Sequence, residues 1–213
     1  PQSLLAQMGF SGAAQYSYAR VMRIAVHPQL QHSGIGRALD SFVTTWATEH
    51  NIDILGASFG ATSSLSQFWF NNNYSPVRLG LNKDSASGTH SLIVLKPLND
   101  NVKTLVDDCQ QQFNESFRYD IANNFKYLDY SLVMTLMSQN LDNKALNEFE
   151  HYNLDIFVNG ARPFEQIGYI LENNLWYSYN KLNSLTAKQQ SLIIQRVLQR
   201  ISWTDITKSL SFS

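Results

Sequence analysis

The sequence has 213 residues, 44% of them hydrophobic, and its 16 Lys and Arg against 17 Asp and Glu give a formal net charge of −1. A near-neutral chain lacks the concentrated positive surface of a dedicated nucleic-acid-binding domain. The single Cys109 excludes an intrachain disulfide, and no apolar run is long enough to span a membrane, so the sequence predicts a cytoplasmic protein.

The first informative segment is a strand, a glycine turn and a helix. The pattern predicts a strand over 20–27, which Pro28 ends, and a helix that opens at Gly34 and Gly36 and ends near residue 50. The apolar residues of this helix recur at helical spacing: Leu39, Phe42, Val43 and Trp46. The two glycines therefore lie at the N-terminus of an amphipathic helix.

A helix N-terminus of this kind attracts anions. Its first amides have no partner within the helix, its dipole is positive there, and glycine lets a phosphate approach the backbone. Gln31, His32 and Ser33 extend the turn, and Arg37 adds a formal positive charge. The segment therefore predicts a pyrophosphate site.

The rest of the chain divides into two parts. Up to residue 99, the pattern predicts a strand over 52–59, a helix around 65–69 that the asparagines at 71–73 end, and strands over 74–81 and 90–95. From residue 100 onward, the apolar spacing predicts helices around 102–117, 128–137, 167–171, 175–179 and 192–201. Thr186 and Gln189 form a plausible capping box for the last of these helices.

The strand, turn and helix resemble motif A of the GNAT acetyltransferase superfamily. Arg-Ile-Ala-Val-His-Pro at 23–28, followed by Gln-x-x-Gly-x-Gly-Arg at 31–37, is similar to the RNA cytidine acetyltransferase family that modifies tRNA(Met). The resemblance implies an α/β (α+β) fold: the second half of a GNAT sheet at 1–99 and an all-helical tail at 100–213. It also implies that the chain is the C-terminal fragment of a longer protein. The tail then either grips tRNA or supports the sheet.

The resemblance assigns acetyl-CoA to named residues. The backbone of Ile24, Ala25 and Val26 would hold the pantetheine arm at a strand edge that splays from its neighbour. The turn would hold the pyrophosphate through the residues Gln31, His32, Ser33, Gly34, Ile35, Gly36 and Arg37. Ser64 and Asn71 stand where the family has a Glu and an Arg on the next helix, so we expect weaker coenzyme contacts there.

The sequence identifies candidate residues for proton transfer less clearly than it identifies the coenzyme site. Many GNAT enzymes have a Tyr acid where this chain has Trp69, which donates a hydrogen bond but is not an acid. His27 and His90 are the candidate catalytic residues, each weighed against a structural role. No ligand spacing predicts a metal site.

Three functions remain open at this stage. The first is an RNA cytidine acetyltransferase fragment that acts on the wobble cytidine of elongator tRNA(Met), inactive in isolation and coupled to an upstream ATP-hydrolysing, helicase-like module. The second is a GNAT enzyme for a protein or small-molecule amine, and the third is a non-catalytic CoA-binding or tRNA-binding module.

Trp176, Tyr177 and Tyr179 near Lys181 could stack on RNA bases or form core. An unpaired sheet edge predicts self-association, or its cover by residues 1–15.

Overall fold

The computed structural model describes residues 4, 6, 8–140 and 144–210. It divides the chain into two compact units, Pro1–Ser116 and Phe117–Ser213. The division falls within one helix, Asp100–Asp120. The boundary at residue 99 stays a prediction.

The first unit contains a four-stranded sheet in the order β1-β2-β4-β3. The strands are β1 (Tyr18–Val21), β2 (Ile54–Gly60), β3 (Ser75–Lys83) and β4 (His90–Pro97). β1 pairs with β2 in parallel, and β4 pairs antiparallel with both β2 and β3. Helix α1 (Ile35–Glu49) connects the two parallel strands, and α2 (Ser63–Phe70) connects β2 to β3. The predicted element order and the α/β fold class are confirmed.

Strand alternation assigns the two faces of the sheet. On one face, Ile54, Val77 and Leu95 pack in a buried cluster with Val102 and Cys109 of helix α3 (Asp100–Asp120). On the other face, α1 reaches Lys96 of β4 and α2 stacks on Phe59 of β2. The alternation within β2 separates the two sets, because neighbouring residues of a strand point to opposite faces.

Two sequence expectations about these elements need correction. The strand predicted over 20–27 begins at Tyr18 and ends at Val21, and residues 22–27 have no strand partner in the described structure. The apolar side chains of α1 are exposed to an unexpected degree, with Phe42 at 72% and both Leu39 and Trp46 at 43%. The buried residues of this helix are Asp40 and Ala47.

The second unit is helical. Its helices are α4 (Tyr130–Met137), α5 (Glu148–Val158), α6 (Phe164–Tyr177), α7 (Ala187–Ile193) and α8 (Trp203–Leu210). A π-helical turn, Ile194–Leu198, continues α7. The capping box of Thr186 and Gln189 is present, and α6 joins the two helices predicted around 167–171 and 175–179.

The aromatic set that could stack on RNA bases or form core includes one buried residue. Trp176 is buried at 3% exposure and packs 6.1 Å from Phe117 between ring centroids. Tyr177 accepts a hydrogen bond from Arg118, whose guanidinium lies over both the Trp176 and Tyr177 rings. Trp176 therefore belongs to the core. No helix in the described ranges is long and apolar enough to cross a membrane.

Candidate functional site

The site starts where β1 leaves its neighbour. Pairing between the two strands ends at Val21 and Ala57, although β2 continues to Gly60 and remains paired with β4 as far as Ser91. Residues 22–27 therefore have no pairing with β2 in the described structure. Sequence pattern predicts an extended segment here, but it does not specify the residue at which strand pairing ends.

A cavity of about 290 Å³ lies against this divergence. Three elements line it: the end of β1 and the following segment, α1, and α2. The lining residues are Val21, Arg23, Ile24, Ala25, Leu39, Asp40, Val43 and Trp69. Two of the residues predicted to hold the coenzyme arm, Ile24 and Ala25, are among them; Val26 is not.

The glycine turn presents backbone amides at the start of α1. Gly34 is the N-cap with φ +90°, a left-handed conformation that favours glycine. Helix bonding begins with the amide of Ala38, which donates to Gly34 O at 3.0 Å. The amides of Ile35, Gly36 and Arg37 precede it and have no acceptor within the helix. This arrangement can bind an anion.

Side chains of the predicted phosphate set brace the turn. Gln31 Nε2 donates to Val26 O at 3.2 Å, and Ser33 Oγ donates to Leu30 O at 2.5 Å. His27 Nδ1 accepts a hydrogen bond from the amide of Gln29 at 3.4 Å. This bond within the turn corresponds to the structural role that was weighed against a catalytic role for His27. His32 is exposed and has φ +63°. Backbone amides and Arg37, rather than the Gln31 and Ser33 side chains, are therefore left to meet a ligand.

Gly36 has a second reason to lack a side chain. A Cβ at this position would lie 3.0 Å from Cε2 of Phe68 on α2. This contact is tight, so a side chain at Gly36 would require the Phe68 ring to move by a few tenths of an ångström. A substitution at Gly36 would therefore affect the contact with α2 as well as the anion site.

A buried charged network lies beside the cavity, and sequence reasoning missed it. Asp40 is 4% exposed. Its Oδ1 accepts from the Tyr74 hydroxyl at 2.9 Å, and its Oδ2 accepts from Lys96 Nζ at 3.0 Å. Lys96 also donates to Thr44 Oγ1 at 2.9 Å. Burial, with the neighbouring Asp40 carboxylate second, raises the pKa of the Tyr74 phenol. The sequence feature that could have indicated this network is Asp40 itself, a charged residue among the apolar residues of α1.

The remaining predicted residues lie elsewhere in the first unit. Ser64 and Asn71 are both exposed, at the start and the C-cap of α2, and Asn71 Oδ1 accepts from Gln67 at 3.1 Å. His90 is buried at 6% exposure at the start of β4, and its Nδ1 lies 2.8 Å from Gly80 O of β3. His90 is not among the residues that line the cavity. The structure therefore does not bring His27 and His90 together in that cavity.

Comparisons with known proteins agree with the resemblance. The family model GNAT acetyltransferase 2 matches residues 42–99. The tRNA(Met) cytidine acetyltransferase TmcA of Nitrosococcus halophilus is 30% identical over 218 aligned residues, which cover 100% of this chain and 29% of that protein. The same enzyme of Vibrio cholerae is 29% identical over 214 residues, covering 100% of this chain and 28% of the relative.

This chain therefore spans less than a third of the length of these relatives. Among solved structures, nourseothricin acetyltransferase is 20% identical with a TM-score of 0.36, over 38% of this chain and 51% of that one. The likeness rests on the sequence relatives and the family model. The resemblance read from residues 23–37 is confirmed: along its whole length this chain is similar to part of the tRNA(Met) cytidine acetyltransferases, and residues 42–99 match a GNAT acetyltransferase model.

Proposed function

We propose that this chain forms the acetyl-CoA-binding part of an enzyme that acetylates a cytidine of tRNA(Met). The observation that carries the proposal is the glycine turn at the start of α1, the helix that also contributes Leu39, Asp40 and Val43 to a cavity at the divergence of β1 and β2. The relatives, named tRNA(Met) cytidine acetyltransferases, supply the substrate class.

The turn is the proposed pyrophosphate site. The amides of Ile35, Gly36 and Arg37 belong to the first turn of the helix, and the Arg37 side chain is exposed. Gln31 and Ser33 hold the turn in this conformation through their bonds to Val26 O and Leu30 O. Because the turn is already braced, binding costs little ordering of the backbone.

The divergent segment is the proposed site of the pantetheine arm. Residues 22–27 are not paired with β2. Val26 O accepts from Gln31 and His27 O accepts from the Leu30 amide, so the backbone groups of Ile24 and Ala25 are the ones proposed to pair with the amides of the arm. Ile24 and Ala25 line the cavity, which would then receive the acyl end. The exposed Ser64 and Asn71 offer hydrogen bonds but no charge to the coenzyme.

Acetyl transfer by such a site is direct. The exocyclic amine of cytidine attacks the thioester carbon, the N–C bond forms, the C–S bond breaks, and the proton lost by the amine ends on the departing sulfur or in solvent. The protein positions both reactants and stabilises the charge that develops on the carbonyl oxygen. His27, which directly precedes the turn at Pro28–Leu30, is proposed to accept the proton that the amine loses. ATP dependence, through a module outside this chain, and the choice of the wobble cytidine of elongator tRNA(Met) stay part of the proposal.

Arg37→Glu in the full-length protein tests the phosphate site. Charge reversal should weaken acetyl-CoA at least about tenfold in calorimetry, but should leave S-acetylpantetheine, which lacks the phosphates, within about twofold. Lys103→Glu, an equal charge change at an exposed residue of α3, is the matched control. Equal weakening of both ligands by Arg37→Glu would remove the assignment. Transfer of labelled acetyl groups to unmodified tRNA(Met), measured on the parent protein, tests the substrate class.

A further inference from the structure

Arg23 is a charged residue of the cavity wall that has no partner within the described structure. The residue lines the cavity and is exposed. No hydrogen bond or ion pair joins it to any residue whose position the structure gives. A guanidinium carries several donors and a permanent positive charge, so Arg23 can meet a ligand without first breaking an internal bond.

The other charged residue of the cavity wall is already matched. Asp40 accepts from the Tyr74 hydroxyl at 2.9 Å and from Lys96 Nζ at 3.0 Å. Its charge is therefore balanced by the lysine. The unmatched charge of the lining residues is positive and belongs to Arg23, which favours a ligand group rich in hydrogen-bond acceptors.

Arg23 follows the part of β1 that faces α1 and α2. Val21 is opposite Ala57 in the parallel register, and Ala57 shares a face of β2 with Phe59, which stacks on Trp69 of α2. Arg23 comes two residues after Val21 and lines the same cavity as Val21 and Trp69. The free guanidinium therefore belongs to the side of the sheet on which acetyl transfer is proposed.

The position of the cavity along α1 separates Arg23 from the proposed phosphate site. The helix begins at Ile35, whereas Leu39 and Val43, which line the cavity, come one and two turns later. In the proposed function the cavity receives the acyl end of the coenzyme, so the RNA group that approaches it is the attacking amine. This amine is attached to C4 of cytosine, next to the acceptors N3 and O2, whereas the ribose and phosphate lie on the other side of the base.

We infer that the Arg23 guanidinium donates to N3 and O2 of the cytosine while the amine at C4 attacks the thioester, an inference that rests on the proposed function. The fork of a guanidinium matches two acceptors that lie side by side on the edge of an unpaired base. Uracil has an N–H at position 3, and adenine has a C–H where cytosine has the O2 carbonyl, so neither base presents this pair. Arg23 therefore selects the base and orients its amine.

Arg23→Met in the full-length protein tests this role, because Met keeps an unbranched side chain and removes every donor. We expect kcat/KM for tRNA(Met) to fall about 10–100-fold, with the affinities for acetyl-CoA and CoA within about twofold. Arg20→Met is the matched control, since Arg20 is an exposed residue of β1 that does not line the cavity, and it should leave kcat/KM within about twofold. Coenzyme affinity that falls as far as kcat/KM in Arg23→Met would overturn the inference, because it would place the guanidinium on the coenzyme.

A modified substrate separates a contact with the base from a contact with an RNA phosphate. tRNA(Met) with 3-deazacytidine at the acetylated position keeps the amine and O2 but has a C–H in place of N3. The parent protein should acetylate this RNA about tenfold less efficiently, whereas Arg23→Met should treat the two RNAs alike within about twofold. An equal preference for cytidine in the parent and in Arg23→Met would overturn the inference and indicate a phosphate contact.

The same assay distinguishes the inference from the proposed function. A parent protein that acetylates the cytidine substrate and the 3-deazacytidine substrate equally well would refute the role of Arg23 and leave the proposed function standing. A parent protein that transfers no acetyl group to either RNA would refute both.

Discussion

The Asp40–Lys96 pair should be strongly coupled, and a double-mutant cycle measures the coupling. Asp40→Asn keeps an oxygen for the Tyr74 hydroxyl and removes the charge, whereas Lys96→Met keeps the length of the side chain and removes the ammonium. The two atoms are 3.0 Å apart, and the side chains are 4% and 13% exposed. Removing one partner of a buried pair typically costs about 3–5 kcal/mol, because the other charge is left uncompensated.

The two single variants should differ in cost. Lys96→Met leaves the more buried group, Asp40, with only the Tyr74 hydroxyl, so we expect the full loss of about 3–5 kcal/mol in the free energy of unfolding. Asp40→Asn leaves Lys96 bonded to Thr44 Oγ1 and near solvent, so we expect about 1–2 kcal/mol. The double variant should be more stable than the sum predicts by about 1–3 kcal/mol.

Denaturant-dependent hydrogen exchange is a suitable assay, because peptides from β2 and β4 report on the first unit separately. The exposed pair Arg200 and Glu172, at 2.9 Å with side chains 67% and 23% exposed, is the control. Its coupling, measured in peptides of α6, should stay below about 1 kcal/mol. A coupling below about 0.5 kcal/mol for Asp40 and Lys96 would refute the reasoning, because it would mean that burial adds nothing to their interaction.

Two further predictions follow from groups whose pKa is displaced. Burial, with Asp108 second, raises the pKa of the Cys109 thiol to about 12, so thiol reagents at pH 8 should label the native protein no faster than it unfolds, and rapid labelling would contradict the buried position. Since the folded pKa is raised from 9.0, the stability from this neutral thiol is complete below pH 9 and is lost as the pH rises towards about 12. Hydrogen bonds from the amide and hydroxyl of Ser17 and from Asn99 lower the pKa of Asp53, so its contribution is present above its usual pKa of 3.8 and is lost as the pH falls through the folded value. Asp53→Asn should therefore flatten the acid limb of unfolding monitored between pH 5 and 2, and an unchanged limb would count against these bonds.

The residue pattern predicted the order of helices and strands in the first unit, because each of these elements is marked by residues that lie close together in the sequence. The end of α1 near residue 50 and the end of α2 at the asparagines 71–73 depend on residues within one or two turns of each other, and β3 and β4 follow each other directly along the chain. The glycine turn is similarly local, since Gly34 must adopt a positive φ and the amides after it are free by the geometry of any helix start. In the second unit, α5 and α8 were not predicted, although α5 has a capping box of Asn147 and Glu150.

The features that the sequence did not predict depend on contacts between residues that are far apart in the chain. Spacing marks Leu39, Phe42 and Trp46 as one stripe of α1, but whether a stripe is buried depends on which elements pack against it, and these three are exposed. Self-association through an open sheet edge stays a prediction, because it too depends on which elements pack against that edge.

The chemistry of the cavity shows this limit most clearly. Asp40 lies between the apolar residues Leu39 and Phe42 of α1. Its role appears only when Tyr74 and Lys96, 34 and 56 residues away, are brought to its two oxygens. Both carboxylate oxygens thus accept from residues that no local pattern links to α1. A search for titratable residues selects His27 and His90, neither of which lines the cavity, whereas the three-dimensional structure places Asp40, one member of a buried ion pair, in its wall. Contacts between residues that are far apart in the sequence, rather than spacing within one helix, therefore decide which charged groups meet at the cavity.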